Sequence, residues 1–218
     1  MSPALDALWR IALGWPGAAW FALAFACGSL PLSVWVGRLA AGADIRRFGD
    51  GNPGAANVLR AAGVGPAVAA VVLDVGKGLA PVALALAAGA PWRPAVAVAP
   101  ILGHAFSPWL GFRGGKGVAT AAGVWAALLW PIGAIVPAAL VLALYALLDG
   151  DAWTVMLAGL LWLGVLVVWR VDGWIVTAWG LQAVLLAWTH RRALATAPRV
   201  RPWLTRRGPA HRPPLDAP

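Results

Sequence analysis

GHAFSPWLGFRGGKGVAT, residues 103–120, is the stretch on which the reading of this chain turns. It leaves an apolar segment through His104, passes an aromatic pair, and makes a compact turn of Gly114, Gly115, Lys116 and Gly117 before entering another apolar segment. A lysine set among glycines at the edge of an apolar block suits an anion. The ammonium is a point charge, and glycines let backbone N–H groups come close. The turn is not a nucleotide-binding P-loop, which needs Ser or Thr after its Lys and Gly where Leu110 stands; Gly117 follows Lys116. Neither a nucleoside triphosphate nor magnesium is implied. The simpler alternative is a membrane-edge lysine that obeys the positive-inside rule.

Composition places the turn in a bilayer. Of 218 residues, 61% are hydrophobic and 11% charged, whereas a soluble domain carries about 25% charge. Backbone groups must be satisfied inside lipid, and the apolar blocks have helical lengths without the alternation of a barrel strand. The expected class is an all-α polytopic membrane protein. Cys27 is the single cysteine, which excludes an intrachain disulfide. Three histidines and one cysteine far apart support no zinc site, and neither metal nor cofactor is expected. The net charge of +9 resides at segment ends rather than on one soluble face. It points to anionic membrane lipid and anionic substrates, not nucleic acid.

Seven spans are expected: 18–39, 66–89, 93–110, 116–130, 132–148, 152–169 and 174–189. The first also resembles a signal peptide, a reading the further spans disfavour. Thirteen basic residues, including Arg60, Lys116 and the seven arginines after His190, fall on one side, and Arg10, Arg93 and Arg170 fall on the other. That asymmetry puts the N-terminus outside and the C-terminus in the cytoplasm. Residues 1–195 then form one seven-helix domain, expected to be a monomer. Residues 196–218 form a basic Pro/Arg-rich tail, read as disordered on anionic headgroups. No internal repeat is visible, which weakens a small-anion transporter reading.

A second glycine turn lies in FGDGNPGAANVLR, residues 48–60. Gly49, Gly51 and Gly54 match G-x-G-x-x-G formally, but no strand precedes them, so no dinucleotide site follows. What remains is a nest of backbone N–H groups leading into a short helical stretch with Asn57 and Arg60. Asp74 and Lys77 are spaced i, i+3 on one helix face and are expected to neutralise each other, bracing the loops. His104 reads as a structural histidine. His190 opens a basic run, HRR, at the end of the last span.

Taken together, GSLP at 28–31, GDGNPGAANVLRAAG at 49–63, LDVGKG at 73–78 and the 103–120 stretch resemble the acyl-phosphate:glycerol-3-phosphate acyltransferase family (PlsY). The resemblance runs over roughly residues 18–192 and implies a divergent member. It implies a seven-span enzyme of the bacterial plasma membrane with its active site facing the cytoplasm. Such an enzyme moves a fatty acyl group from acyl phosphate to the 1-hydroxyl of glycerol 3-phosphate, giving lysophosphatidic acid for phospholipid synthesis. By the same resemblance Arg60 and His190 are catalytic candidates. Lys116, Gly114, Gly115, Gly117, Asn52, Asn57 and Gly51 are candidates for holding substrate phosphate, with Asp74, Lys77 and His104 as support.

The chain departs from the family pattern in three places. Asp50 stands where the first motif has Ser and is a further catalytic candidate. Ala193 stands where an Asn follows the last His, and LLDGDAWTV at 147–155 replaces a Ser-rich loop. Like charges ~4 Å apart repel by about 4 kcal/mol at an effective dielectric of ~20, so Asp50 beside a phosphate needs compensation. A relative with another polyol-phosphate acceptor, or an inactive one, is the alternative.

Overall fold

The computed structural model describes residues 15–205. Arg10, and with it the expected outer N-terminus, lies outside the described residues, as do Arg206, Arg207, Arg212 and the rest of 206–218. The helices are α1 (Gly17–Ser29), α2 (Leu32–Ala41), α3 (Ala55–Ala62), α4 (Val64–Ala87), α5 (Arg93–Ala105), α6 (Val118–Leu128), α7 (Ile132–Leu147), α8 (Asp151–Val168), α9 (Gly173–Leu194) and α10 (Pro202–Thr205). The only strands among the described residues form a short antiparallel ribbon. Leu148 and Asp149 of β1 (Leu148–Asp149) face Val200 and Arg199 of β2 (Arg199–Val200).

The expected first span is broken. Pro31 cannot continue a helix and holds Leu30 extended, so the helix is interrupted between α1 and α2 and carbonyls there lack helical partners. Side chains from elsewhere supply the donors. Lys77 Nζ donates to the Leu30 carbonyl at 2.8 Å, and Ser107 Oγ donates to the Ser29 carbonyl at 2.6 Å. Lys77 also pairs with Asp74 at 2.8 Å, and Asp74 accepts from Ser33 Oγ at 2.6 Å. The Asp74–Lys77 pair forms as its spacing predicts, and it also fastens the break.

Small residues decide which helices touch. A Cβ on Gly28 would strike the backbone of Pro100, and one on Gly103 the backbone of Phe25, so α1 and α5 cross with backbones in contact. Gly78 against Thr120 and Gly123 against Val75 do the same for α4 and α6. Helices in lipid gain little from apolar burial against one another, and close backbone approach replaces it. Around these crossings Val82, Ala97, Ile101, Val124, Ala178 and Leu185 form the central core. Large apolar side chains such as Val72, Leu142 and Val184, respectively 63%, 71% and 72% exposed, face outward, as lipid-facing residues do.

Among the described residues three helical stretches are long and apolar enough to cross a bilayer: Gly17–Ala41 taken across its break, Val64–Ala87 and Asp151–Val168. Helices α6 and α7 are apolar but shorter. The expected third span, 93–110, ends at Ala105, and the expected fourth, from 116, begins only at Val118. Between them residues 106–117 double back as a loop, because Pro108 and four glycines cannot sustain helix there. Helix α9, the expected seventh span, runs to Leu194, past the expected end at 189, so His190 lies within a helix and is only 1% exposed. The expected loose tail is ordered at its start: β2 pairs with β1, and Trp153 Nε1 donates to the Thr196 carbonyl at 2.7 Å.

Candidate active site

The turn before α3 is built around Asp50. Its Oδ1 accepts from the Asn52 N–H at 3.1 Å and from Asn57 Nδ2 at 3.1 Å. Asn57 is 1% exposed. Its Nδ2 also donates to the Asn52 carbonyl at 2.9 Å, and its Oδ1 accepts from Arg60 Nη1 at 2.7 Å. Gly49 and Gly51 take positive φ, of 54° and 74°, which the tight turn needs. The N–H of Gly51 is committed to the Phe48 carbonyl at 3.0 Å.

The 103–120 loop meets this turn directly. Lys116 Nζ reaches Asp50 Oδ2 at 2.8 Å, and the Lys116 N–H donates to Asn52 Oδ1 at 3.1 Å. Arg60, Asn57, Asp50 and Lys116 are therefore joined in one hydrogen-bonded chain. Burial alone pushes the Asp50 carboxyl up, but the Lys116 ammonium, with the Asn52 N–H and Asn57, outweighs it and holds the group below its usual range. Burial likewise pushes the Lys116 ammonium down, while Asp151 and Asp50 more than reverse it and raise the group above an ordinary lysine.

The glycines of the turn work differently from the expected anion cradle. The N–H groups of Gly114 and Gly115 donate to the carbonyls of Ala105 and His104, each at 3.0 Å, capping the end of α5. They are not free to hold phosphate in this conformation. Both positions demand glycine for space: a Cβ at Gly114 would strike the His104 carbonyl, and one at Gly115 the His104 imidazole. Gly117 has φ of 85° and abuts Ile101. The buried His104 supports this turn through its carbonyl and its ring, and lies under Gly115.

Two further groups join from the other half of the chain. Asp151, the first residue of α8, pairs its carboxylate with Lys116 Nζ at 2.5 Å. Sequence reading passed over it because 147–155 was compared only with a serine-rich loop. The available signal was an acid at a helix start in a chain with eight acids and two lysines. From α9, Thr189 Oγ1 donates to the Lys116 carbonyl at 3.0 Å. Beside it His190 Nδ1 lies 2.8 Å from the Leu186 carbonyl. A carbonyl only accepts, so Nδ1 carries a proton, and in the neutral ring Nε2 is the bare nitrogen. That Nε2 is buried without a hydrogen-bond partner among the described residues. Asp151, Lys116 and Asp50 all lie within electrostatic reach of this ring. A cavity of about 380 Å³ adjoins the site, lined in part by Asp149, Asp151, Trp153, Ala193 and Arg199. Chemically, the cluster offers an ammonium and a guanidinium for phosphate and a bare imidazole nitrogen for a proton.

Residues 18–197 match the profile of a family described as glycerol-3-phosphate acyltransferase. A glycerol-3-phosphate acyltransferase of Anaeromyxobacter dehalogenans is 49% identical over 118 residues, covering 51% of this chain and 59% of the relative. One of Synechococcus is 47% identical over 106 residues, covering 48% of this chain and 52% of the relative. The chain thus spans little more than half the length of these two relatives. Glycerol-3-phosphate acyltransferase 1 of Deinococcus radiodurans aligns more fully, 42% identical over 175 residues, 78% of this chain and 85% of the relative. Among solved structures, PlsY (YgiH), an integral membrane glycerol 3-phosphate acyltransferase in its glycerol 3-phosphate form, superposes with a TM-score of 0.74. Its identity is 27%, over 82% of this chain and 90% of that one. With a helical, multi-pass membrane architecture and a profile match over most of its length, the chain belongs to the glycerol-3-phosphate acyltransferase family.

Proposed function

We propose that the chain transfers a fatty acyl group from acyl phosphate to the 1-hydroxyl of glycerol 3-phosphate. The hydroxyl oxygen attacks the acyl carbonyl carbon, the bond from that carbon to the phosphate oxygen breaks, and lysophosphatidic acid and inorganic phosphate leave. The hydroxyl proton goes to His190 Nε2. The observation that carries this reading is the joining of Arg60 and Lys116 in one hydrogen-bonded chain, with the His190 ring within electrostatic reach of Lys116 and Asp50. Both reactants bear phosphate, which a guanidinium grips as a fork and an ammonium as a point charge. Acyl phosphate is already activated, so placing the reactants and neutralising charge supplies most of what the reaction needs. No acyl-enzyme and no metal enter the scheme.

The wider frame belongs to the same proposal. Residues 1–195 form a seven-span domain of the bacterial plasma membrane, with α5, α6, α7 and α9 crossing as short or tilted spans. The N-terminus lies outside, and the site and the basic tail of 196–218 lie in the cytoplasm, with the chain acting as a monomer. The charge asymmetry of the loops supports this orientation.

The test is acylation by detergent-purified protein of a panel of labelled polyol phosphates. Lysophosphatidic acid should form from acyl phosphate and not from acyl-CoA. Absence of product from acyl phosphate would refute the reading. A second reading, an altered acceptor, is favoured by the two carboxylates on Lys116, since a phosphate there meets negative charge. Turnover of another polyol phosphate in preference to glycerol 3-phosphate would establish it.

A further inference from the structure

Lys116 is held by two carboxylates, and they are not held equally. Asp50 is fixed from several sides: the Asn52 N–H, Asn57 Nδ2 and Lys116 all donate to it. Asp151 has Lys116 as its sole side-chain partner among the described residues. Its side chain is 44% exposed and it borders the adjoining cavity. Gly150, just before it, takes φ of 119°, a conformation few other residues adopt. The same short segment is anchored from outside. Arg201 Nε donates to the Tyr145 and Leu148 carbonyls at 2.8 and 3.1 Å, and the Arg201 N–H donates to the Leu147 carbonyl at 2.9 Å.

An ammonium has three donors, and two point at carboxylates here. A dianionic phosphate arriving at Lys116 meets repulsion from both, and one must withdraw for the phosphate to be held well. We infer that Asp151 is a displaceable counter-ion of Lys116, occupying the ammonium in the resting chain and exchanging for the phosphate of a substrate. Asp50 stays, pinned by its asparagines. Asp151 thereby sets how tightly a phosphate binds at Lys116 and discriminates between anions by the charge they bring. This rests on the reading of Lys116 as a phosphate-holding residue, and the experiment separates the two.

The chain carries two lysines, Lys77 and Lys116, and Lys77 is buried against Asp74. The rate at which an amine reagent modifies Lys116, read by peptide mass, therefore reports on this one ammonium without any turnover. Full-length wild-type protein and Asp151→Asn are labelled in detergent over a series of inorganic phosphate or glycerol 3-phosphate concentrations, at fixed ionic strength. Asp151 is exposed and Asn has its shape, so folding should persist; Asp151→Ser serves as a second variant.

Without phosphate, Lys116 should label faster in the variant, because removing a counter-ion lowers the ammonium pKa. The concentration giving half-protection should fall roughly 1.5- to 5-fold in the variant, the range for an exposed ion pair. An unchanged or higher half-protecting concentration would overturn the inference, the latter making Asp151 a residue that positions Lys116. Protection by neither anion in either protein would overturn it too. Tighter protection by inorganic phosphate, with none by glycerol 3-phosphate, would sustain it while removing glycerol 3-phosphate as the acceptor.

Discussion

At Gly115 an added Cβ would press into the His104 imidazole that lies beneath the turn. Gly115→Ala must shift the ring or the turn, and overfilling a packed site costs typically ~1–3 kcal/mol. Lys116 is the next residue and moves with it. A displacement of about 1 Å in a catalytic group lowers turnover on the order of 100-fold. That loss, at unchanged helicity by circular dichroism, is the expected outcome; wild-type turnover would show that the turn has slack. The ion pairs at this scale also set a pH dependence. The Asp50 pKa is lowered in the folded chain, so its stabilisation is present above the unfolded value of about 3.9 and is lost as pH falls through the lowered value. The Lys116 pKa is raised, so its share is present below about 10.4 and is lost as pH rises through the raised value. Thermal unfolding in detergent should therefore show an advantage of wild type over Asp50→Asn that is flat near neutrality and shrinks in acid. An advantage that persisted well below that acid range would mean the carboxylate is not the source.

Helix α4 carries two charges into apolar surroundings, and the reason lies on the neighbouring helices. Asp74 and Lys77 side chains are 3% and 4% exposed. Removing one partner of such a pair leaves a buried charge, costing ~3–5 kcal/mol, whereas replacing both with apolar residues is often nearly neutral. Here the double change should not be neutral. Lys77→Met with Asp74→Leu also strips the Leu30 carbonyl of its donor at the α1–α2 break, and Ser33 of its acceptor. The single variant Lys77→Met is expected to unfold at clearly lower temperature, and the double variant to recover only part of the loss. Full recovery would show that the pair neutralises itself and does nothing for the break. The spacing i, i+3 made the pair legible in the sequence. The carbonyl it serves, 47 residues away, was not.

For the molecule as a whole, the proposed orientation puts the loops bearing Arg60, Lys116 and Asp151 on one side and the turn between α4 and α5 on the other. Cys27 is the single cysteine, so Cys27→Ala gives a clean background for accessibility. In that background Arg113→Cys, at an exposed loop position, should react with a membrane-impermeant thiol reagent only after cell lysis. Trp92→Cys, in the exposed turn before α5, should react in intact cells. The reverse pattern would invert the proposed topology and move the site out of the cytoplasm. The sequence by itself determined the solvent this chain folds in, the helical class, the i, i+3 pair and the turns around Asp50 and Lys116. These follow from composition, local spacing and the special backbone of glycine, all of which act over a few residues. Only the tertiary structure decided that Pro31 breaks the first span and recruits Lys77. It alone showed that Gly114 and Gly115 spend their N–H groups on α5, and that Asp151 closes on Lys116 from 35 residues away. Such pairings depend on which helices cross and how closely, and that is settled by small residues meeting across the bundle rather than by anything local to the groups that end up in contact.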